Sequence, residues 1–190
     1  MRVITGTARG RKLKEPANYD IRPTTDQVKE AMFNIVQFDV EGRRVLDLFG
    51  GTGQLGIEAA SRGAGEVVIV DADRTAIRLI QENAAACQLK VKVVQSDSLD
   101  YLRRGGRYDL IFIDPPYDSG LAEKAVNLIK EFDILSDGGI ILCESRRETV
   151  LPAMEAPYGA GREYRYGKVK LTVYRKERQD DGDSDLSGQF

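Results

Sequence analysis

Apolar residues recur along the chain in short continuous runs that are separated by segments with helical spacing. The runs lie at residues 44–48, 66–71, 91–95, 109–114 and 139–144, and the helical segments lie near 54–62, 74–87, 98–103 and 120–132. Strands that are apolar along their whole length are typical of parallel sheets buried between helices. The alternation therefore predicts an α/β fold with a doubly wound, mostly parallel sheet.

The two ends of the chain depart from this alternation. A short basic segment with two glycines predicts a hairpin, and apolar spacing predicts a helix capped by Thr24 or Thr25 that runs to about Phe38. Two runs about Gly167, at 162–166 and 168–175, predict an antiparallel pair at the end of the sheet. We expect an N-terminal hairpin and helix (1–40), a main domain (41–177) and a disordered acidic tail (178–190).

Composition limits the classes to which the protein can belong. Its 190 residues, 42% hydrophobic and 31% charged, fit one soluble domain, and nothing in the pattern demands more than a monomer. No apolar run approaches the ~18 residues of a membrane span. Cys87 and Cys143 are interpreted as buried free thiols of a cytoplasmic protein. Histidine is absent, which excludes histidine-based triads and the common zinc sites, so no metal is expected.

Basic side chains are concentrated at the two ends of the chain. Residues 1–14 contain five basic and no acidic side chains, and residues 162–178 contain seven basic and two acidic ones, within a formal net charge of −2. This asymmetry is consistent with a polyanionic partner, although ordinary solvated charge would look the same. The candidate phosphate contacts are Arg9, Arg11, Lys12 and Lys14.

A glycine-rich turn follows the first strand and reads Asp47-Leu48-Phe49-Gly50-Gly51-Thr52-Gly53. In an open α/β sheet, ligands bind beyond the carboxyl ends of the strands, near the point where the strand order reverses. Residues 51–56 also fit the pattern G-x-G-x-x-G, so a nicotinamide dinucleotide is a candidate ligand. The carboxylate of Asp47 favours S-adenosylmethionine instead, because it can face the ammonium group of that cofactor but would repel a pyrophosphate.

Two further carboxylates follow the next two strands. Asp71 ends the second strand, where an acidic residue can accept hydrogen bonds from both ribose hydroxyls, and Asp73 is expected to cap the following helix. Asp97 follows the third strand and can accept the adenine N6 amine, cap the helix at 98–103, or do both. The predicted cofactor contacts in this region are Asp47, Phe49, Gly50, Gly51, Gly53, Asp71 and Asp97.

The candidate catalytic motif is Asp114-Pro115-Pro116-Tyr117, directly after the apolar run at 110–113. The prolines fix the backbone, so that the Asp114 carboxylate and the Pro115 carbonyl can converge on one exocyclic amine. Two acceptors on the amine hydrogens can direct the nitrogen lone pair at an electrophile, while Tyr117 stacks on the base. The motif predicts methyl transfer to an amino nitrogen of guanine, adenine or cytosine, which leaves S-adenosylhomocysteine as the second product.

Further motifs lie outside these two sites: Ile4-x-Gly6 with Arg9-Gly10, Arg22-Pro23-Thr24-Thr25-Asp26-x-Val28-Lys29-Glu30, Phe33-Asn34, Leu55-Gly56-Ile57-Glu58-Ala59, and the strand ending at Glu144. With the glycine-rich turn and Asp-Pro-Pro-Tyr, they make residues 1–176 resemble the bacterial 16S ribosomal RNA guanine-N2 methyltransferases. The resemblance implies a class I methyltransferase fold and N2-methylguanosine as product, with the small ribosomal subunit or its late assembly intermediate as substrate. It also implies an N-terminal element over the cofactor, which adds Thr24 and Thr25 to the cofactor contacts and Arg22 to the RNA contacts.

Other functions remain open at this point. An adenine-N6 methyltransferase acting on DNA or RNA would use the same amine chemistry. A protein glutamine methyltransferase would typically present Asn in place of Asp114. A nicotinamide-dependent oxidoreductase could use the same glycine-rich turn, and a non-catalytic RNA-binding assembly factor could retain the motif without activity.

Overall fold

The fold is built on one seven-stranded sheet, seen in a computed structural model that describes residues 1–16 and 26–178. Its strand order is β3-β2-β1-β4-β5-β7-β6; the first five strands are parallel, and β7 is antiparallel to both of its neighbours. The predicted fold class, including its antiparallel ending, is confirmed. The strands are β1 (Arg44–Asp47), β2 (Glu66–Asp71), β3 (Lys92–Gln95), β4 (Tyr108–Ile113), β5 (Leu135–Arg146), β6 (Arg162–Tyr166) and β7 (Val169–Arg175).

Helices cover both faces of the sheet, because alternate residues of each central strand point to opposite sides. Val45 of β1 belongs to a core cluster with the first three helices, and Leu46 belongs to a second cluster with the last two. Cys87 and Cys143 are buried free thiols, as predicted. The helices are α1 (Asp26–Ile35), α2 (Gln54–Ser61), α3 (Arg74–Ala86), α4 (Ser98–Arg103) and α5 (Leu121–Glu131).

Two element boundaries differ from the prediction by about three residues or more. Strand β5 begins at Leu135 rather than at 139, because the strand continues across Gly138 with a shift of register against β4. The pair Gly138-Gly139 looks like a turn in the sequence but forms a bulge here. Helix α1 ends at Ile35 rather than near Phe38, since the backbone turns back where the Asp39 amide donates to the Val36 carbonyl.

The first sixteen residues form the predicted hairpin and pack on the face of α2 and α3. Arg2 pairs with Lys12, and the Val3 amide donates to the Arg11 carbonyl at 2.9 Å. Val3 and Leu13 are buried in the same core cluster as α1, α2 and α3. The hairpin therefore shares the hydrophobic core of the sheet.

A buried carboxylate holds this hairpin in place. Glu58 of α2 is fully buried and accepts hydrogen bonds from the amides of Ile4 and Thr5 at 2.8 and 2.9 Å. The same carboxylate is 2.9 Å from Arg62 and 3.7 Å from the buried ammonium of Lys29, which donates to the carbonyl of Arg2. The charges of α1 and α2 are thus satisfied by each other and by the hairpin backbone.

Ser61 and Gly6 form a second attachment of the hairpin. The Ser61 hydroxyl donates to the Thr5 carbonyl at 2.6 Å and accepts from the Ala8 amide at 2.9 Å. Gly6 has a φ of +89°, and a Cβ at this position would lie 1.8 Å from the Ser61 carbonyl oxygen. Only glycine can occupy this position without displacing the hairpin.

Candidate active site

Three carboxylates meet where the central strands end, an edge of the sheet that we call the carboxyl edge. Asp47 lies at the end of β1, Asp71 at the end of β2, and Asp114 directly after β4. Strands β1 and β4 are neighbours, with Asp47 in register with Phe112, two residues before Asp114. The strand order reverses between these two strands, which is where ligands bind in open α/β sheets.

The glycine-rich turn leaves the backbone open to a ligand. Gly51 and Gly53 have φ values of +56° and +79°, a backbone conformation that residues other than glycine rarely adopt. Gly50 is required for packing, since a Cβ at this position would lie 2.5 Å from the side chain of Ile69. The hydroxyl of Thr52 contacts the sulfur of Met1 at 3.3 Å, so the hairpin lies against the turn.

Asp47 is buried in a way that fits a cationic group. Its Oδ2 accepts a hydrogen bond from the Gly56 amide at 2.9 Å, and its Oδ1 has no hydrogen-bond partner among the described residues. Burial raises the pKa of the Asp47 carboxyl to about 8; the Gly56 amide opposes this rise, and the nearby Asp114 and Asp71 carboxylates add to it. A buried acceptor without a donor is costly, and an ammonium group would both pair with it and stabilise its charge.

Asp71 and Asp97 both make local hydrogen bonds. Asp71 accepts from the amides of Gly51 and Asp73, each at 2.8 Å, and so connects the end of β2 to the glycine-rich turn. Asp97 caps α4 by accepting from the Asp100 amide at 2.9 Å. Asp73 caps α3, as predicted. The ribose and adenine contacts assigned to Asp71 and Asp97 remain predictions, as does that of Phe49, which packs partly buried against the second core cluster.

The Asp-Pro-Pro-Tyr motif leaves β4 at the carboxyl edge, beside the end of β1. Asp114 and Tyr117 are half-buried, Pro115 is buried and Pro116 is exposed. The hydroxyl of Tyr117 donates to the carboxylate of Glu144 at 2.6 Å. This hydrogen bond fixes the direction of the ring.

Glu144 is a site residue to which the sequence patterns assign no role beyond the end of a strand. It is a buried carboxylate within β5, directly after the apolar residues 140–143. A charged residue within such a run is the signal that could have identified it. Its neighbour Arg146 lies over the Tyr117 ring, with the guanidinium carbon 5.4 Å from the ring centroid, and pairs with Asp118 at 2.8 Å.

Of the predicted RNA contacts of the hairpin, Arg9 and Arg11 lie away from this edge. The backbone of Lys14 lies close to it, because the side-chain amide of Asn83 donates to the carbonyls of both Lys14 and Thr52. The hairpin tip around Arg9 packs against Ser61, where α2 ends at the opposite, amino edge of the sheet. Arg11 lies near Cys87, at the end of α3. Burial raises the pKa of the Cys87 thiol, and the positive charge of Arg11 opposes that rise. Lys14 forms an exposed ion pair with Glu82 at 2.8 Å. Lys12 is exposed, and Arg22, Thr24, Thr25 and the tail at 179–190 lie outside the described residues.

The basic C-terminal segment is largely paired within the protein. Lys170 is buried against Glu163, and Lys176 is buried between Asp133 and Asp137. The net positive charge counted along 162–178 therefore overstates what this segment can offer to a polyanion.

No helix within residues 1–16 and 26–178 is both long and apolar enough to cross a membrane. In the same part of the chain, no three carboxylate or thiol side chains are grouped so that they could hold a metal ion.

The sheet order, the strand reversal at β1 and β4 and the glycine-rich turn define a class I methyltransferase fold, the fold of enzymes that use S-adenosylmethionine. The chain belongs to the family described as conserved hypothetical protein 95, which it matches over residues 1–175. It is 35% identical to ribosomal RNA small subunit methyltransferase D of Escherichia coli (strain K12), over 97% of this chain and 94% of that protein. The family resemblance inferred from the sequence motifs is confirmed.

Solved structures agree with this assignment. The Escherichia coli protein yhhF superposes with a TM-score of 0.84 at 35% identity, covering 94% of this chain and 99% of that one. The 16S rRNA N2 G1207 methyltransferase RsmC of Thermus thermophilus, solved with AdoMet and guanosine, superposes with a TM-score of 0.69 at 27% identity. That superposition covers 85% of this chain and 45% of RsmC.

Proposed function

We propose that the protein transfers a methyl group from S-adenosylmethionine to the N2 amine of a guanine in 16S ribosomal RNA. The observation that carries the proposal is the convergence of Asp114 and the oriented Tyr117 ring with the buried Asp47 at one edge of the sheet. The names of two similar proteins support the substrate: one is a small subunit rRNA methyltransferase, and the other is a 16S rRNA N2 methyltransferase solved with guanosine.

The residues of the first two strands fit S-adenosylmethionine. Asp47 would pair with the ammonium group through its free oxygen, and Asp71 would accept the ribose hydroxyls. Asp97 would accept the adenine amine, and Gly50, Gly51 and Gly53 let the backbone approach closely. Phe49, Thr24 and Thr25 are proposed as further contacts. When bound, this cofactor supplies a methyl group that is already activated by its sulfonium.

The chain itself has to supply a usable lone pair and its alignment. The Asp114 carboxylate and the Pro115 carbonyl would accept hydrogen bonds from the two amine hydrogens, which draws the nitrogen toward tetrahedral geometry. The Tyr117 ring, held by Glu144, would stack on the base and fix its plane. A carbon–nitrogen bond forms as the carbon–sulfur bond breaks, and the surplus amine proton passes to Asp114 or to water. Positioning of this kind can contribute ~7–11 kcal/mol.

The substrate must present its base outside a helix, because a stacked guanine cannot reach the half-buried Asp114. Loops and bulges of folded RNA expose bases in this way. We propose the small ribosomal subunit, or its late assembly intermediate, as the natural substrate, acted on by a monomer of this chain.

The direct test is transfer of labelled methyl to small subunits purified from cells that lack this protein. Bare 16S RNA, large subunits and DNA serve as parallel substrates, and nucleoside analysis identifies the product. We expect N2-methylguanosine in the small subunit. Label in adenosine or in DNA would replace the substrate assignment with an adenine-N6 methyltransferase, and binding of NAD without transfer would contradict the proposed class.

Cofactor binding is expected to release a proton near pH 7. Asp47, with a pKa of about 8, is mostly protonated before binding and must ionise to pair with an ammonium group. Affinity for S-adenosylmethionine should therefore rise with pH below that value. Calorimetry at pH 7 in buffers of different ionisation enthalpy measures the release.

Asp47→Asn provides the matched control, because it preserves the shape of the side chain and cannot ionise. The variant should bind more weakly and release no proton. Proton release that is equal in both proteins would place the ammonium elsewhere.

The same pKa has a consequence for the unliganded protein: a carboxyl whose pKa is raised on folding makes the free energy of unfolding fall as pH rises from about 4 to about 8.

A further inference from the structure

We propose that Arg146, Arg147 and Lys168 form an RNA-binding surface that contacts the backbone phosphates next to the target base. We call these three residues the edge cluster. The inference rests on the proposed function, and it deepens it by naming the part of the protein that holds the RNA strand during transfer.

The edge cluster is brought together by strand pairing at the carboxyl edge. Arg146 ends β5 and is in register with Val169, the first residue of β7. The Arg147 amide donates to the Lys168 carbonyl at 3.0 Å, so the two backbones run side by side just beyond the strands. Strand β5 is parallel to β4 and adjacent to it, so the cluster lies at the same edge as Asp114.

One member of the cluster contacts the catalytic motif itself. The Arg146 guanidinium lies over the Tyr117 ring and pairs with Asp118, the residue after the motif. A phosphate held beside Arg146 would therefore belong to the target nucleotide or to an immediate neighbour.

The other two members are available to a polyanion. Arg147 and Lys168 are exposed, and neither forms an ion pair within the part of the chain that the structure describes. The acidic side chains close to them along the chain are Asp118, already paired with Arg146, and the exposed Glu148. The cluster therefore offers net positive charge to phosphates.

The tip of the hairpin cannot perform this task, and Lys14, nearer the carboxyl edge, is paired with Glu82. Arg9 and Arg11 lie at the amino edge, separated from the carboxyl edge by the length of α2, which is about 12 Å for its eight residues. Phosphates next to a base at Asp114 are therefore out of reach of Arg9 and Arg11. Those residues can contact only a more distant part of a large RNA.

The chemistry beside the cluster favours RNA over an acidic protein. Tyr166 pairs with Val169 at the same edge and forms one wall of an open groove of about 410 Å³ against α1. The groove is otherwise lined by Gln27, Glu30, Ala31, Asn34 and Ile35 of α1. An aromatic ring next to basic side chains is the combination that binds single-stranded RNA by stacking and charge.

The test compares a double variant of the cluster with a matched control. Arg147→Ala with Lys168→Ala removes one arginine and one lysine at the carboxyl edge without touching Arg146. Arg104→Ala with Lys90→Ala removes the same two charges from exposed positions at the amino edge, after α4 and before β3. Affinity for 16S RNA is measured by fluorescence at several salt concentrations, and methyl transfer is measured in parallel.

The cluster variant is expected to bind RNA on the order of tenfold more weakly, with a log–log salt slope reduced by about 1.4–1.8, which corresponds to two lost phosphate contacts. KM for RNA should rise, while affinity for S-adenosylmethionine stays unchanged. A different result would be that the two variants bind RNA equally while the unmodified protein transfers methyl. That result would show that the edge cluster is not the RNA-binding surface, and the proposed function would stand. Absence of both RNA binding and methyl transfer in the unmodified protein would overturn both.

Discussion

Replacing Asp114 by alanine is expected to reduce methyl transfer by about 10²–10³-fold while changing cofactor affinity only slightly. The carboxylate accepts an amine hydrogen in the proposed arrangement, and loss of one group aimed at the reacting atoms has effects of this size. It lies beyond β4 and makes no proposed contact with the cofactor. Single-turnover transfer and calorimetry of S-adenosylmethionine binding measure the two quantities separately.

Asp39→Ala is the matched control for this change. Asp39 is also a half-buried carboxylate, but it lies near the end of α1 and is 3.7 Å from Arg175. It should retain activity near that of the unmodified protein. Loss of transfer and of cofactor binding to the same degree in Asp114→Ala would mean that Asp114 holds the cofactor rather than the amine.

Replacing Glu58 by glutamine is expected to lower the free energy of unfolding by about 3–5 kcal/mol, the usual cost of leaving a buried charge without its partner. Burial lowers the pKa of Lys29, and the Glu58 carboxylate counters that effect by stabilising the ammonium. A neutral amide would remove this support and weaken the hydrogen bonds to Ile4 and Thr5. Urea unfolding followed by circular dichroism measures the change.

The exposed pair of Arg44 and Glu66, at 3.0 Å, provides the comparison for this prediction. Both side chains are nearly half exposed, so Glu66→Gln should change the free energy of unfolding by less than about 1 kcal/mol. A similar small effect of Glu58→Gln would show that the hairpin is held by its apolar contacts rather than by the carboxylate.

Local patterns were sufficient to predict the sheet and the strand ends that carry the carboxylates of the candidate site. Continuous apolar runs identified the strands, and the carboxylates after them, Asp47, Asp71 and Asp114, follow from strand ends that share one edge. Interactions between distant residues could not be predicted. Tyr117 and Glu144 are 27 residues apart, and nothing in the local sequence of either indicates the other.

Charge was the least informative part of the sequence, for a related reason. A count of basic residues does not distinguish the buried Lys170 and Lys176 from the exposed Arg147 and Lys168. It also does not reveal that Arg9 lies at the amino edge, because that depends on the contact of the hairpin with Ser61. Spatial position, which is set by packing, decides which charges can reach a ligand.

The attachment of the hairpin implies an order of events during synthesis. The residues that bind it come much later in the chain: Glu58 and Ser61 lie 53 to 56 residues after the backbone groups they hold, and Asn83 binds the amide of Lys14 from 69 residues away. At ~5–20 residues per second, several seconds pass between the synthesis of the hairpin and that of these partners. During this interval Val3 and Leu13 have no core to enter. The hairpin can thus reach its final position only after Asn83 has been synthesised.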